Sequence, residues 1–96
     1  MDYLKEYVAP SVYDELINIL SLDIQSALFR EKENVVKVIN YLKSIKVQSF
    51  DDLFKMRIDL LFENVDSLKN KISKLDVSFI SFIIQNDVGN LINFGI

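Results

Sequence analysis

The sequence predicts an all-α fold, either a small helical bundle or a short array of helical repeats of roughly 30 residues, with about five to seven helices. Half of the 96 residues are hydrophobic, which is enough for a packed core. Only two glycines and one proline interrupt the chain, whereas turn-rich β folds need many such residues. Apolar residues also recur at every third or fourth position, the period of a helix with one buried face.

The first third of the chain is predicted to hold a lead-in and two helices. Residues 2–8 are a short helix or a lead-in, and Pro10 fits either the first turn of the next helix or the break before it. Residues 11–20 form a helix whose apolar positions are Val12, Leu16, Ile19 and Leu20. Ser21 then caps a short helix, which is lined on one side by Ile24, Ala27 and Leu28.

Two longer amphipathic helices are the clearest elements. The first covers residues 33–46, and its apolar stripe comprises Val35, Val38, Ile39, Leu42 and Ile45. The second covers about residues 64–75, and its apolar stripe comprises Val65, Leu68, Ile72 and Leu75. Charged and amide side chains occupy the opposite faces, so each helix is expected to bury one side.

Short helices fill the remaining segments. Ser49 is expected to cap one of them, whose buried side is Phe50, Leu53 and Phe54. Ser78 is expected to cap the next, with inward-facing Phe79, Phe82 and Ile83. Asp87 is expected to cap the last, which holds Val88, Leu91 and Ile92.

Three similar junctions suggest a repeat. Ser21-Leu22, Ser49-Phe50 and Ser78-Phe79 lie 28 and 29 residues apart, and each precedes a short apolar helix. We interpret them as units of a degenerate repeat: a short capped helix, a connector and a longer helix. The alternative is an ordinary bundle, in which serine is simply a common N-cap. The sequence leaves both interpretations open.

Residues 38–83 resemble the helical repeat of the mitochondrial transcription termination factor family. The segments that carry the resemblance are VINYLKSIKV, SFDDLFKMRIDLLF and ENVDSLKNKISKLDV, and together they cover about half of the chain. Ile58 stands where the family usually has a proline, and Lys46 stands where it usually has a glycine. The resemblance implies an all-α repeat. It implies DNA or RNA binding less strongly, because family members are longer and generally basic along the nucleic-acid groove, whereas this chain has a net charge of −3.

The composition excludes several kinds of chemistry. The chain has no cysteine and no histidine, which rules out disulfides, thiolate zinc sites and catalysis by Cys or His. Asp51 and Asp52 are adjacent carboxylates, and stabilising the positive end of a helix explains them better than metal or acid–base chemistry. We therefore expect no enzyme activity, no cofactor and no metal site.

Hydropathy and length favour a single cytoplasmic domain over residues 1–96. The N-terminal sequence lacks the pattern of a signal peptide. Polar residues interrupt the most apolar stretch, residues 75–96, so it falls short of the roughly 20 apolar residues of a membrane span. The absence of cysteine fits a reducing cytosol.

A local excess of basic residues gives one candidate site. Residues 43–74 contain seven basic and five acidic residues, although the whole chain has a net charge of −3. The alternative function is therefore a nucleic-acid-binding helical-repeat protein, with phosphates contacted by Lys43, Lys46, Lys69, Lys71 and Lys74. Alternatively, these lysines form a solvent-exposed face that binds nothing, and the net negative charge favours this interpretation. Four tyrosines could stack on bases, sit at a protein interface or line the edge of the core, and they are Tyr3, Tyr7, Tyr13 and Tyr41.

The C-terminal tail gives the leading hypothesis. Its apolar residues surround more than one face of a short helix, which is typical either of an exposed interface or of a central core helix. We expect a non-enzymatic helical interaction module that binds a protein partner or self-associates, of the kind found among small regulators or inhibitors from phages or mobile elements. The residues expected to bind the partner are Phe79, Phe82, Ile83, Leu91 and Ile92.

Overall fold

A computed structural model describes residues 2–96 of the protein. Within that range the chain forms six α-helices, three 3₁₀ helices and no strand, which confirms the predicted all-α fold. The α-helices are α1 (Pro10–Ile19), α2 (Leu22–Arg30), α3 (Lys32–Ser44), α4 (Asp51–Met56), α5 (Val65–Ser73) and α6 (Val77–Asn86). The 3₁₀ helices are η1 (Asp2–Glu6), η2 (Ile58–Phe62) and η3 (Val88–Phe94).

The N-terminal segment is tied to α1 and α2 by two tyrosine hydroxyls. Pro10 occupies the first turn of α1, where the missing N–H of proline is not needed. The Tyr13 hydroxyl in α1 donates a hydrogen bond to the Asp2 carboxylate (2.8 Å). The Tyr3 hydroxyl donates to the carbonyl oxygen of Leu28 in α2. These bonds hold η1 against the first two α-helices.

The helix caps agree with the sequence at one of the three serine junctions. Ser21 caps α2 by accepting a hydrogen bond from the backbone N–H of Ile24 (3.2 Å). The prediction for Ser49 is wrong, because α4 begins two residues later and has no side-chain cap. The prediction for Ser78 is also wrong, because Asp76 caps α6 and leaves the serine inside the first turn. The repeat stays a prediction.

The helix α3 packs against α2, η2 and α5, and its buried residues are Val35, Val38, Ile39 and Leu42, as predicted. It ends in a Schellman turn, in which the Val47 N–H donates to the Leu42 carbonyl oxygen (3.0 Å) and the Lys46 N–H donates to that of Lys43 (3.0 Å). Lys46 has a φ of 76°, in the left-handed region that glycine adopts more easily. The turn that ends α3 therefore places a lysine at the left-handed position.

The helices α3 and α5 lie side by side and run in the same direction. Near their starts, the Asn34 side chain donates to the carbonyl oxygen of Glu63 (2.7 Å). Further along, the Lys69 ammonium lies 5.6 Å from the centre of the Tyr41 ring. Residues 47–64 return the chain from the end of α3 to the start of α5, and that return contains α4 and η2.

Polar contacts also join α4 to α1, and α6 to the connection that follows α3. The Lys55 ammonium in α4 lies 2.9 Å from the Glu15 carboxylate in α1. The Gln85 side chain in α6 accepts from the Gln48 N–H (2.9 Å) and donates to the Lys46 carbonyl oxygen (3.3 Å). These bonds satisfy backbone groups of the connection that leaves α3.

The buried apolar side chains form one cluster to which every helix contributes. The most deeply buried side chains include Leu4, Leu16, Leu28, Ile39, Leu42, Phe54, Leu61, Leu68, Ile72 and Ile80. The predicted burial of Ile19 and Leu75 is wrong, since both lie at or just beyond a helix end and are exposed. Among residues 2–96, no helix has the length and apolar character needed to cross a bilayer.

Candidate functional site

The orientation of α6 determines which residues of the C-terminal candidate site are exposed. Its buried residues are Ile80, Ser81, Ile83 and Ile84. Phe79 and Phe82 face the other way, and 46% and 57% of their surfaces are exposed. The expectation that both phenylalanines face inward is therefore wrong. They are three residues apart on one helix face, so they form adjacent parts of a single surface.

The five residues expected to bind a partner divide into two groups. Ile83 and Leu91 are buried in the core, so they are not available to a partner. Phe79, Phe82 and Ile92 remain on the surface, and Ile92 is 72% exposed. The structure thus reduces the candidate site to three of its predicted members.

The 3₁₀ helix η3 supports this surface. The ring of Phe94 in η3 packs edge-to-face against Phe79, with ring centres 5.6 Å apart. The exposed Met56 of α4 borders η3, because its methyl carbon lies 3.7 Å from the position of a Cβ on Gly89. We call Phe79 and Phe82 the α6 surface; the exposed Ile92 and Met56 lie on η3 and α4, which pack against α6. Asp87 precedes η3, but its side chain does not form the predicted cap.

The α6 surface lies in an almost uncharged part of the chain. The sequences of α6 and η3, VSFISFIIQN and VGNLINF, contain no ionisable side chain. Ser, Asn and Gln are the only polar side chains on these two helices. A partner that covers this surface would therefore desolvate aromatic and amide groups and few charges, which keeps the cost of binding low.

A second apolar surface lies on α2 and was missed by the sequence reasoning. Leu22 and Phe29 are 79% and 73% exposed. They lie on the face of α2 opposite Ile24 and Leu28, which point towards the core. The signal was present, since two large apolar residues seven positions apart share a helix face. This spacing was overlooked because Ile24, Ala27 and Leu28 already accounted for the helical pattern of α2.

The lysines expected to contact nucleic acid do not form one free cationic edge. The Lys43 ammonium lies 4.7 Å from the centre of the Tyr7 ring, and Lys69 covers Tyr41 as described above. The Lys71 ammonium lies 3.1 Å from the Glu63 carboxylate. Lys46 forms the left-handed turn after α3, and Lys74 is the C-terminal cap residue of α5. Three of the five ammonium groups are thus engaged within the chain.

Each of the four tyrosines has a lysine ammonium over its ring. The pairs are Lys32 with Tyr3, Lys43 with Tyr7, Lys5 with Tyr13, and Lys69 with Tyr41, at 4.7 to 5.6 Å from the ring centres. Burial also raises the pKa of Tyr3 to about 12. Burial and the hydrogen bond to Asp2 raise the pKa of Tyr13. The four tyrosine rings therefore take part in contacts within the folded chain.

The adjacent carboxylates of α4 and a cleft beside α1 are the remaining candidate features. Asp51 and Asp52 lie in the first turn of α4, where their charges stabilise the positive end of the helix. Within residues 2–96 no three acidic side chains come together as a metal site would require. A cleft of about 290 Å³ is lined by Lys5, Pro10, Tyr13 and Asp14. In this cleft Lys5 covers the ring of Tyr13.

Comparisons with known proteins identify no relative. No family model matches the chain. No curated protein and no solved structure shows a significant match either. The resemblance of residues 38–83 to the transcription termination factor repeat therefore stays a prediction from the residues alone.

Proposed function

We propose that this chain is a non-enzymatic helical interaction module whose α6 surface binds a protein partner. The observation that carries the proposal is the exposure of Phe79 and Phe82 on a helix whose other face is buried in the core. Aromatic side chains are enriched at the centres of protein interfaces, where they supply a large part of the binding energy. A module of this kind would regulate a larger protein by occupying one of its surfaces.

The arrangement of the α6 surface supports this proposal. Phe79 is held by Phe94 in an edge-to-face contact, so a partner would meet a ring whose position is already restricted. Preorganised side chains lose less conformational entropy on binding. If Phe82 is a central contact, its truncation is expected to cost about 2 kcal/mol of binding free energy, or about a 30-fold loss of affinity.

Affinity capture with matched variants tests the proposal. The immobilised chain, its Phe82→Asp variant and its Phe29→Asp variant would be exposed to extract from the source cell, and the captured proteins would be identified by mass spectrometry. Both substitutions place a charge on an exposed aromatic position, but only one lies on the α6 surface. The proposal requires a protein retained by the parent chain and by Phe29→Asp but lost from Phe82→Asp. Equal capture by all three chains contradicts it.

A second candidate function is nucleic-acid binding by a helical repeat. Two observations favour it. The helices α3 and α5, which occupy equivalent places in the proposed repeat, are neighbours and run in the same direction. Lys46, at the usual glycine position of the resembled repeat, has the left-handed backbone that glycine favours. The internal pairing of Lys43, Lys69 and Lys71 argues against it.

A mobility-shift assay separates the two functions. Nucleic-acid binding predicts a salt-dependent shift of DNA or RNA that disappears on charge reversal at Lys69 and Lys74. The Phe82→Asp variant should then shift nucleic acid as well as the parent chain does. Binding that survives reversal of both lysines would exclude this edge as the nucleic-acid site.

A further inference from the structure

The surface of α2 carries a self-complementary pattern of apolar and charged side chains. Leu22 and Phe29 are exposed and seven residues apart, so they lie two turns from each other on one face. Ser26 lies between them on that face and is also exposed. Asp23 and Arg30 are seven residues apart as well, and both flank the apolar face on the same side.

Among residues 2–96, the charges of this pattern have no ion-pair partner. The ion pairs found among residues 2–96 include neither Asp23 nor Arg30. The remaining polar residue beside the face, Gln25, is occupied, since its side chain donates to the carbonyl oxygens of Ile17 (3.2 Å) and Leu20 (3.0 Å) at the end of α1. An acidic and a basic side chain thus stand free at opposite ends of an exposed apolar stripe.

We propose that α2 is the interface of a homodimer in which the α2 helices of two copies pack antiparallel. A two-fold axis beside Ser26 places Leu22 of one copy level with Phe29 of the other. The same axis places Asp23 of each copy beside Arg30 of the other, because both pairs have the same spacing and nearly the same midpoint. One two-fold rotation therefore forms both the apolar and the ionic contacts, as an isologous interface requires.

This geometry also explains why a second copy fits the surface better than an unrelated helix would. An antiparallel arrangement is favoured because a parallel two-fold dimer would place Asp23 and Arg30 of the two copies on opposite sides of the seam, where their charges would find no partner. Ser26 at the axis is small, which lets the two helices approach closely. The proposal concerns a different surface from the α6 surface and does not depend on the function proposed for it.

The dimer is expected to be weak. The helix has nine residues, which corresponds to a length of about 13 Å. An interface of that length lies at the small end of specific interfaces, so we expect a dissociation constant on the order of tens of micromolar. The monomer–dimer equilibrium should therefore shift with protein concentration within the range accessible to sedimentation.

Exchanging the charges gives a test that measures restored dimerisation as well as lost dimerisation. The full chain would be studied by analytical ultracentrifugation over a concentration series, beside Asp23→Lys, Arg30→Glu and an equimolar mixture of the two. Each single variant places like charges together across the axis, so each is expected to weaken dimerisation by 10-fold or more. The mixture restores two opposite-charge pairs per dimer and should form a heterodimer at least as stable as the parent homodimer.

The hydrophobic part of the interface is tested separately. Phe29→Asp should give a monomer, whereas Phe82→Asp should dimerise like the parent chain, and circular dichroism would verify that both remain folded. Three results would overturn the proposal: a monomeric parent chain at millimolar concentration, two charge variants that do not associate when mixed, or a dimer that is lost in Phe82→Asp but kept in Phe29→Asp.

Discussion

The Arg57 guanidinium donates a hydrogen bond to the carbonyl oxygen of Ile96 (2.6 Å) and so joins the middle of the chain to its C-terminal residue. The same guanidinium makes a bidentate contact with both carboxylate oxygens of Asp59 (3.1 Å each). The arginine side chain is mostly buried, and the Ile96 side chain is buried in the core. A single planar group thus positions η2 and the segment after η3.

Replacement of Arg57 by lysine should therefore destabilise the fold. A lysine cannot reproduce the forked geometry that reaches Asp59 and Ile96 together. We expect the free energy of unfolding, measured by urea denaturation, to fall by about 2 kcal/mol. Asp59→Asn is the control, and it should cost only about 0.5 kcal/mol because that carboxylate is largely exposed. Equal losses in the two variants would show that the bond to Ile96 contributes nothing.

Replacement of Lys46 by glycine should stabilise the protein. A left-handed residue with a Cβ costs about 1–2 kcal/mol, and the greater flexibility of glycine in the unfolded chain offsets about 0.5–1 kcal/mol of the gain. We expect a net increase of about 0.5–1 kcal/mol in the free energy of unfolding. Lys46→Ala keeps the Cβ and removes the charge, so it should leave stability unchanged. A gain in the alanine variant would assign the effect to the charge.

The helix caps predict a difference between residues that look alike in the sequence. Ser21→Ala and Asp76→Ala each remove a side-chain acceptor from the first turn of a helix, and each should cost about 1 kcal/mol in thermal or urea unfolding. Ser49→Ala and Ser78→Ala remove no cap and should change stability by less than about 0.5 kcal/mol. Comparable losses at all three serines would instead support three equivalent repeat junctions.

Stability should fall at alkaline pH, in part because of Tyr3. Burial raises the pKa of Tyr3 from 10.0 to about 12, so the protonated hydroxyl is favoured in the folded state. Its contribution to stability is complete below pH 10 and is lost as the pH rises towards 12. Tyr3→Phe should be less stable at neutral pH, because the hydrogen bond to Leu28 is lost, but should decline less steeply above pH 10. Urea midpoints of both chains over this range give the comparison, in which the lysine contributions cancel. Parallel curves would contradict it.

The helices with a single apolar stripe were predictable from the sequence. In α3 the positions of Val35, Val38, Ile39 and Leu42 define one face, and that face is buried. The orientation of α6 was not predictable, because apolar residues surround the helix and periodicity cannot determine which side turns inward. Packing against α4, α5 and η3 buries Ile80 and Ile84 and leaves Phe82 outside.

The partners of charged side chains were not predictable from the sequence, for a different reason. Lys43 lies over Tyr7 and Lys69 over Tyr41, and in each case the two residues are distant in the chain. Such pairs depend on how helices are placed in three dimensions, which local spacing does not encode. The excess of lysine in residues 43–74 therefore suggested a free cationic edge, although three of its members contact groups within the chain.

The parallel arrangement of α3 and α5 has a consequence for the order of folding. The contact between Asn34 and Glu63 spans 29 residues, and closing a flexible loop of that length costs about 3 kcal/mol in chain entropy before any contact repays it. The adjoining helices α2 and α3 meet through a connection of one residue and carry almost no such cost. The amino-terminal helices should thus acquire protection from hydrogen exchange early in refolding, with α5 following once the intervening segment has condensed.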